Sequence, residues 1–197
     1  MKKKTKRSLI EYGIIAAVVL TLYLTGLHTD VIGFVQRGLL ATGLMNPKIE
    51  SRAESMGDSS KEMADFDLEL INSAGEKVHL EEFRGKVIFM NLWATWCPPC
   101  IAEMPSIQKL YHDVKNEDVE FVMISLDDQF DTAKTFRIRK GYDFEIYRIA
   151  GRLPSMYHSS SIPTTFVIGA DGRLAMTHKG MADYSKKKFK SFLLDLQ

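Results

Sequence analysis

Residues 91–100 read NLWATWCPPC and hold both cysteines of this 197-residue chain, Cys97 and Cys100, at the end of an apolar run. Three uses of such a pair compete: a structural staple, half of a metal site, or a redox couple. A bridge across so short a loop removes little entropy from the unfolded chain, which makes the staple the weakest of the three. A tetrahedral structural metal site takes four ligands. The chain has no second cysteine pair, and His79, His112, His158 and His178 are scattered without ligand spacing. The redox couple has a physical basis in the flanking residues. "KVIFMNLW", residues 86–93, is a continuous apolar run bounded by Gly85, as in a strand buried on both faces. Residues 94–96 then turn, and a helical pattern starting at Pro98 or Pro99 is carried by Ile101, Met104, Ile107, Leu110 and Tyr111. Proline suits a first helical turn because it has no amide hydrogen to leave unpaired. Cys97 thus falls at a helix N-terminus, where free amides and the positive end of the helix dipole favour a thiolate and lower its pKa from about 8.5. Cys100, one turn on, shares that face and is in reach of a mixed disulfide formed at Cys97.

Outward from this motif, hydrophobic period and chain breakers alternate. "FDLEL" (66–70) alternates strictly and "NSAGEKVHL" (72–80) turns at a glycine and returns, which predicts a hairpin. "VEFVMISLD" (119–127) is a second buried strand, residues 131–140 a further helix, and "FEIYRI" (144–149) another strand. "TTFVI", "GADGR" and "LAMTHKG" (164–180) predict strand, tight turn and strand. Phe189, Phe192, Leu193 and Leu196 repeat at helical spacing and predict an amphipathic terminal helix. The fold class is α/β: a central mixed sheet flanked by helices.

The N-terminal third has a different character. Leu9 to Leu27 spans 19 residues whose only charge is Glu11, behind a basic cluster of Lys2, Lys3, Lys4, Lys6 and Arg7. About 20 apolar residues cross a bilayer as a helix, and the cluster stays on the cytoplasmic side. The expected organisation is a basic cytoplasmic N-terminus (1–8), one transmembrane signal-anchor (9–29), a juxtamembrane segment and linker (30–63), and a compact domain (64–197). No small-x-small site directly follows Leu27, which favours an uncleaved anchor over a signal peptide, and the lack of a cysteine before Cys97 excludes a lipoprotein anchor. Residues 31–44 are apolar but too short to span again, and 46–63 mix charge with Ser, Gly and Pro as a tether does. The basic cluster supplies +5 of a net charge of +1, leaving residues 8–197 at −4 and arguing against nucleic acid as a partner. The ten methionines are dispersed as core fillers rather than clustered as copper ligands.

Three separated motifs in one order, "LEEFRGKV" (80–87), "NLWATWCPPCIAEMP" (91–105) and "SSIPTTFVIGADGR" (160–173), resemble the membrane-anchored thioredoxin-like thiol-disulfide oxidoreductases of the TlpA and ResA type. The resemblance covers residues 64–197. It implies a thioredoxin fold with an N-terminal hairpin extension, Cys97 as the exposed attacking thiol and Cys100 as the buried resolving one. It also implies a cis peptide before Pro163, with Ile162 offering backbone groups to an extended substrate segment. Of the two tryptophans beside the pair, Trp93 is expected in the core and Trp96 as a wall of the site, with Pro98 and Pro99 on the same substrate face. Glu103 matches an acid held near the thiols. Classical thioredoxins carry a buried Asp six residues before the first cysteine; Asn91 stands there, and an amide does not shuttle protons. Glu103 is then the candidate general base toward Cys100. The implied function is reduction of disulfides in extracytoplasmic proteins, apocytochromes among them, with a membrane thiol electron donor and no cofactor beyond the Cys97–Cys100 couple. The implied location is the cytoplasmic membrane, single-pass, with the catalytic domain outside. The alternatives are a copper-binding or metal-delivering module, in which His158 would be the added ligand, and a peroxidase of the same superfamily.

Overall fold

The computed structural model describes residues 11–17, 20–21 and 62–197. Residues 11–17 and 20–21 are helical, and among the described residues no helix is long and apolar enough to cross a membrane. Of the expected anchor over 9–29 only residues 11–17 and 20–21 are described, and of the expected linker over 30–63 only residues 62 and 63; the rest lies outside the described residues.

The strands of the domain are β1 (Glu69–Asn72), β2 (Lys77–His79), β3 (Val87–Trp93), β4 (Val119–Ser125), β5 (Ile146–Ile149), β6 (Thr164–Ile168) and β7 (Leu174–Lys179). Helices α1 (Pro98–Val114), α2 (Phe130–Lys140) and α3 (Lys187–Leu194) separate or follow them. The sheet order is β2-β1-β5-β4-β3-β6-β7, with β3, β4 and β5 parallel and the outer pairings antiparallel. The thioredoxin-like mixed sheet is as expected. All seven residues of β3 are buried, because β3 pairs on both sides and is covered on both faces.

Alternation along the central strands sorts side chains into two core layers. Val87, Phe89 and Trp93 of β3 join Phe121 and Met123 of β4 against Ile101, Met104, Ile107 and Leu110 of α1, Phe136 of α2 and Phe189 and Leu193 of α3. Ile88, Met90 and Leu92 face the opposite layer, built from Phe66, Leu68, Leu70, Leu80, Tyr147 and Tyr157. The three helices therefore gather on one face rather than flanking the sheet. The other face is closed by the N-terminal segment, a 3-10 turn (Leu80–Phe83) and the loop before β6, whose large apolar side chains suffice to fill it.

Two boundaries differ from the periodic reading. The strand in "FDLEL" begins only at Glu69, although Phe66 and Leu68 are buried, because the chain there is extended beside the sheet; Leu68 accepts Leu80 N–H through its carbonyl at 3.0 Å. The terminal helix stops at Leu194, and Leu196 packs on the core from beyond its end. At the C-terminus of α2, Gly141 adopts φ 68°, the left-handed cap that ends a helix cheaply only at glycine.

Candidate active site

Strand β3 delivers the chain to the end of the sheet, residues 94–96 turn, and Cys97 becomes the N-cap of α1. Pro98 and Pro99 occupy the first helical turn as expected. Cys97 and Cys100 are joined by a disulfide, with Cα atoms 5.3 Å apart, and Cys97 Sγ also accepts the Cys100 backbone N–H at 3.3 Å. One free amide of the helix terminus is therefore satisfied by sulfur, where other helices use Ser, Thr or Asp. Cys100 is fully buried and Cys97 keeps only 4% of its surface, so the accessibility expected of Cys97 is slight in the disulfide form.

The loop before β6 meets this cap from the other side. The Ile162–Pro163 peptide is cis, and the Ile162 carbonyl oxygen lies 3.8 Å from Cys97 Sγ. With both sulfurs in the bridge there is no S–H to donate, so this is a van der Waals approach. Of the residues expected on the substrate face, Trp96 is 60% exposed, and Pro98, Pro99 and Ile162 are half-buried. Pro163 is buried and shapes the loop from beneath. Trp93, by contrast, lies in the core against Phe136, ring centroids 5.7 Å apart, its indole N–H without a partner among the described residues.

The turn carrying Trp96 is anchored by a residue that periodicity did not single out. Asp127, just past β4, accepts the Thr95 hydroxyl at 2.6 Å, the Thr95 backbone N–H at 3.1 Å and the Ser125 hydroxyl at 2.8 Å.

Glu103 lies three residues beyond Cys100 on α1 and is fully buried. Its Oε1 accepts Asn91 Nδ2 at 2.9 Å and its Oε2 accepts the Ala182 backbone N–H at 3.1 Å. Burial pushes its carboxyl up to about 8, the two hydrogen bonds pulling the other way. Asn91 Nδ2 also donates to Thr165 Oγ1 at 2.9 Å, and Tyr184 Oη donates to that same oxygen at 2.7 Å. Ser106 Oγ closes the segment, donating to the Glu103 carbonyl at 2.7 Å and accepting Tyr184 N–H at 3.2 Å. Asn91, noted in the sequence as a departure, is thus the direct partner of Glu103. Thr165 and Tyr184 gave no signal beyond being polar residues inside or beside apolar runs.

His158 binds the Leu153 carbonyl at 2.9 Å. Among the described residues no group of three His, Cys, Asp or Glu side chains is placed to hold a metal ion.

A disulfide in the cap of the first helix after a central strand, facing a cis-proline loop, defines a thioredoxin-like protein. The chain belongs to the AhpC/TSA family, whose profile matches residues 60–177. It is 33% identical over 127 residues to the thiol-disulfide oxidoreductase ResA of Halalkalibacterium halodurans, covering 64% of this chain and 71% of that protein. Against ResA of Bacillus subtilis strain 168 the identity is 30% over 138 residues, covering 66% and 75%. Among solved structures, a putative thiol:disulfide interchange protein DsbE from Chlorobium tepidum superposes with a TM-score of 0.60 at 24% identity, covering 70% of this chain and 99% of that one.

Proposed function

We propose that the protein is a membrane-tethered thiol-disulfide oxidoreductase that reduces disulfides of other proteins outside the cytoplasm. The observation that carries this reading is the Cys97–Cys100 disulfide in the cap of α1, in which Cys97 keeps 4% of its surface and Cys100 none. In the reduced protein, Cys97 thiolate attacks one sulfur of a substrate disulfide. A Cys97–substrate bond forms, and the other substrate sulfur leaves with the bonding pair and takes a proton from water. The Cys100 thiol gives its proton to Glu103 and its sulfur attacks that of Cys97, so the Cys97–Cys100 bond forms as the Cys97–substrate bond breaks, and the substrate sulfur leaves with the bonding pair and takes a proton from water. The substrate has gained two electrons and the protein has lost two, so a dithiol donor must restore the pair. A membrane thiol protein is the donor class that a tether over residues 9–29 would keep close. Trp96 gives the substrate an apolar platform, and the free edge of the Ile162 backbone gives an extended segment hydrogen bonds. Apocytochromes awaiting haem are one substrate class that fits an extracytoplasmic reductase.

The test is equilibration of the pair against glutathione or dithiothreitol buffers. A potential near the thioredoxin figure of about −270 mV supports the reductase direction, whereas one near the DsbA figure of about −120 mV makes the protein an oxidant of folding chains. Retention of the full chain in washed membranes, and its release on deletion of residues 1–29, checks the anchor.

A further inference from the structure

Asn91 and Thr165 are directly opposed across the antiparallel β3–β6 ladder, so both side chains rise from the helix-covered face of the sheet toward α1. The hydrogen bonds in this cluster are unevenly used. Asn91 Nδ2 spends both protons, one on Glu103 and one on Thr165, while Asn91 Oδ1 is buried with no partner among the described residues. Thr165 Oγ1 accepts twice, from Asn91 and from Tyr184, and its own hydroxyl proton has no acceptor among the described residues. One unpaired acceptor and one unused donor therefore sit at the two ends of a single Asn91–Thr165 contact. The amide's oxygen and nitrogen ends are nearly the same size, so turning it over changes the chemistry without changing the volume.

We propose that Asn91 is a positioning residue whose amide turns end for end when Glu103 takes up a proton, with Thr165 and Tyr184 holding both settings. The inference rests on the reading of Glu103 as the group that takes the Cys100 proton. With Glu103 ionised, the amide N–H groups point at Glu103 Oε1 and Thr165 Oγ1, the arrangement in the structure. With a proton on Oε1, two donors would face each other across that contact. The turned amide places Oδ1 there instead, where it accepts both the Glu103 O–H and the Thr165 O–H, and Tyr184 still donates to Thr165. In either setting one Asn91 atom is unpaired, so neither setting locks the network. An aspartate at position 91 would compete with Glu103 for the proton; a leucine would leave the carboxylate with one partner, Ala182 N–H.

Other titratable groups surround this pair. Tyr184, its hydroxyl held well above the ordinary range by burial and by the Glu103 charge, stays protonated. Asp183 in the same segment is turned to Ser185 and Lys186. His178 of β7 is directly opposed to Thr165 of β6, its imidazole held low by burial. Cys97 and Cys100, on α1 itself, are in the disulfide.

The two flanking hydroxyls act on opposite settings, and this gives the test. Thr165→Val strands an Asn91 N–H in the ionised setting, whereas the turned Oδ1 keeps the Glu103 proton; ionisation becomes harder. Tyr184→Phe removes the only donor to Thr165 Oγ1 in the protonated setting, whereas Asn91 still serves that oxygen in the ionised one; ionisation becomes easier. The full chain, oxidised, isotope-labelled and in detergent micelles, is titrated by NMR through the Glu103 carboxyl carbon and the Asn91 side-chain amide. The expected result is one shared midpoint for both signals, raised by about half a pH unit or more in Thr165→Val, lowered in Tyr184→Phe, and returned by Thr165→Ser. An Asn91 amide that does not move through the Glu103 titration, or shifts of one sign in both variants, overturns the inference. Opposed shifts in a protein that reduces no disulfide would sink the proposed function and leave the amide switch standing.

Discussion

Cys97 Sγ takes the backbone N–H of Cys100 at 3.3 Å, so one cysteine caps the helix turn that presents the other. The same turn that orders the pair also ranks it, leaving Cys97 the outer sulfur and Cys100 wholly enclosed. In the reduced protein, iodoacetamide is expected to alkylate Cys97 at least tenfold faster than Cys100, read by mass spectrometry of the two peptides. Cys100→Ser should accumulate mixed disulfides with substrate proteins, because nothing then displaces them from Cys97, and Cys97→Ser should accumulate none. Equal labelling rates would remove the assigned order of attack.

Glu103 gives a pH dependence whose sign is fixed. Its carboxyl is raised from an ordinary 4.5 to about 8 by burial, so the folded protein binds a proton that the unfolded chain has already lost between those values. Stability from this group is complete below about pH 4.5, falls as pH rises, and is gone above about pH 8, a change on the order of a few kcal/mol. Glu103→Gln should flatten that slope in urea unfolding between pH 5 and 9 while slowing resolution of the mixed disulfide about 100-fold. An unchanged slope would mean that Glu103 does not titrate in this range.

The two tryptophans should part company. Trp96 projects into solvent, and Trp96→Ala is expected to change unfolding free energy by no more than about 0.5 kcal/mol while raising KM for a protein substrate severalfold. Trp93 fills the core against Phe136, and Trp93→Ala should cost about 3–5 kcal/mol. Calorimetry and steady-state kinetics on the same two variants separate packing from recognition.

Asp127 ties the turn before the motif to the end of β4 through Thr95 and Ser125. Asp127→Ala frees three donors at once and should cost about 1–3 kcal/mol, with a fall in kcat/KM of about tenfold from a looser Trp96 platform. Asp127→Asn, which keeps an acceptor, should recover part of both. Full activity in Asp127→Ala would show that the turn is held by the helix cap alone.

Much of this is legible in the amino-acid sequence. The β3 run, the proline-led start of α1 and the β6–β7 hairpin each follow from local period and breakers, and the place of the cysteine pair at a helix N-terminus follows from the first two, whereas Pro163 and Glu103 came only from the resemblance. What stayed hidden is set by register. Asn91 meets Thr165 only because β3 and β6 pair antiparallel at that residue, some 70 positions apart in the chain. Tyr184 reaches the same point from the segment before α3, where no periodic element signals burial. The gathering of all three helices on one face was equally unreadable, since an amphipathic helix states how much of itself it buries and not against which side of a sheet.

Because a redox-active sulfur is also a helix cap, folding and electron transfer form one thermodynamic square whose corners are oxidised, reduced, folded and unfolded. The difference in unfolding free energy between the oxidised and reduced proteins equals the difference in bridge-forming free energy between the folded and unfolded chains, at about 1.4 kcal/mol per 30 mV. Two denaturation curves therefore locate the potential of the pair relative to that of the unfolded chain, with no redox buffer in the cuvette. Any substitution in the first turn of α1 that favours one form over the other is, by the same amount, a retuning of the couple.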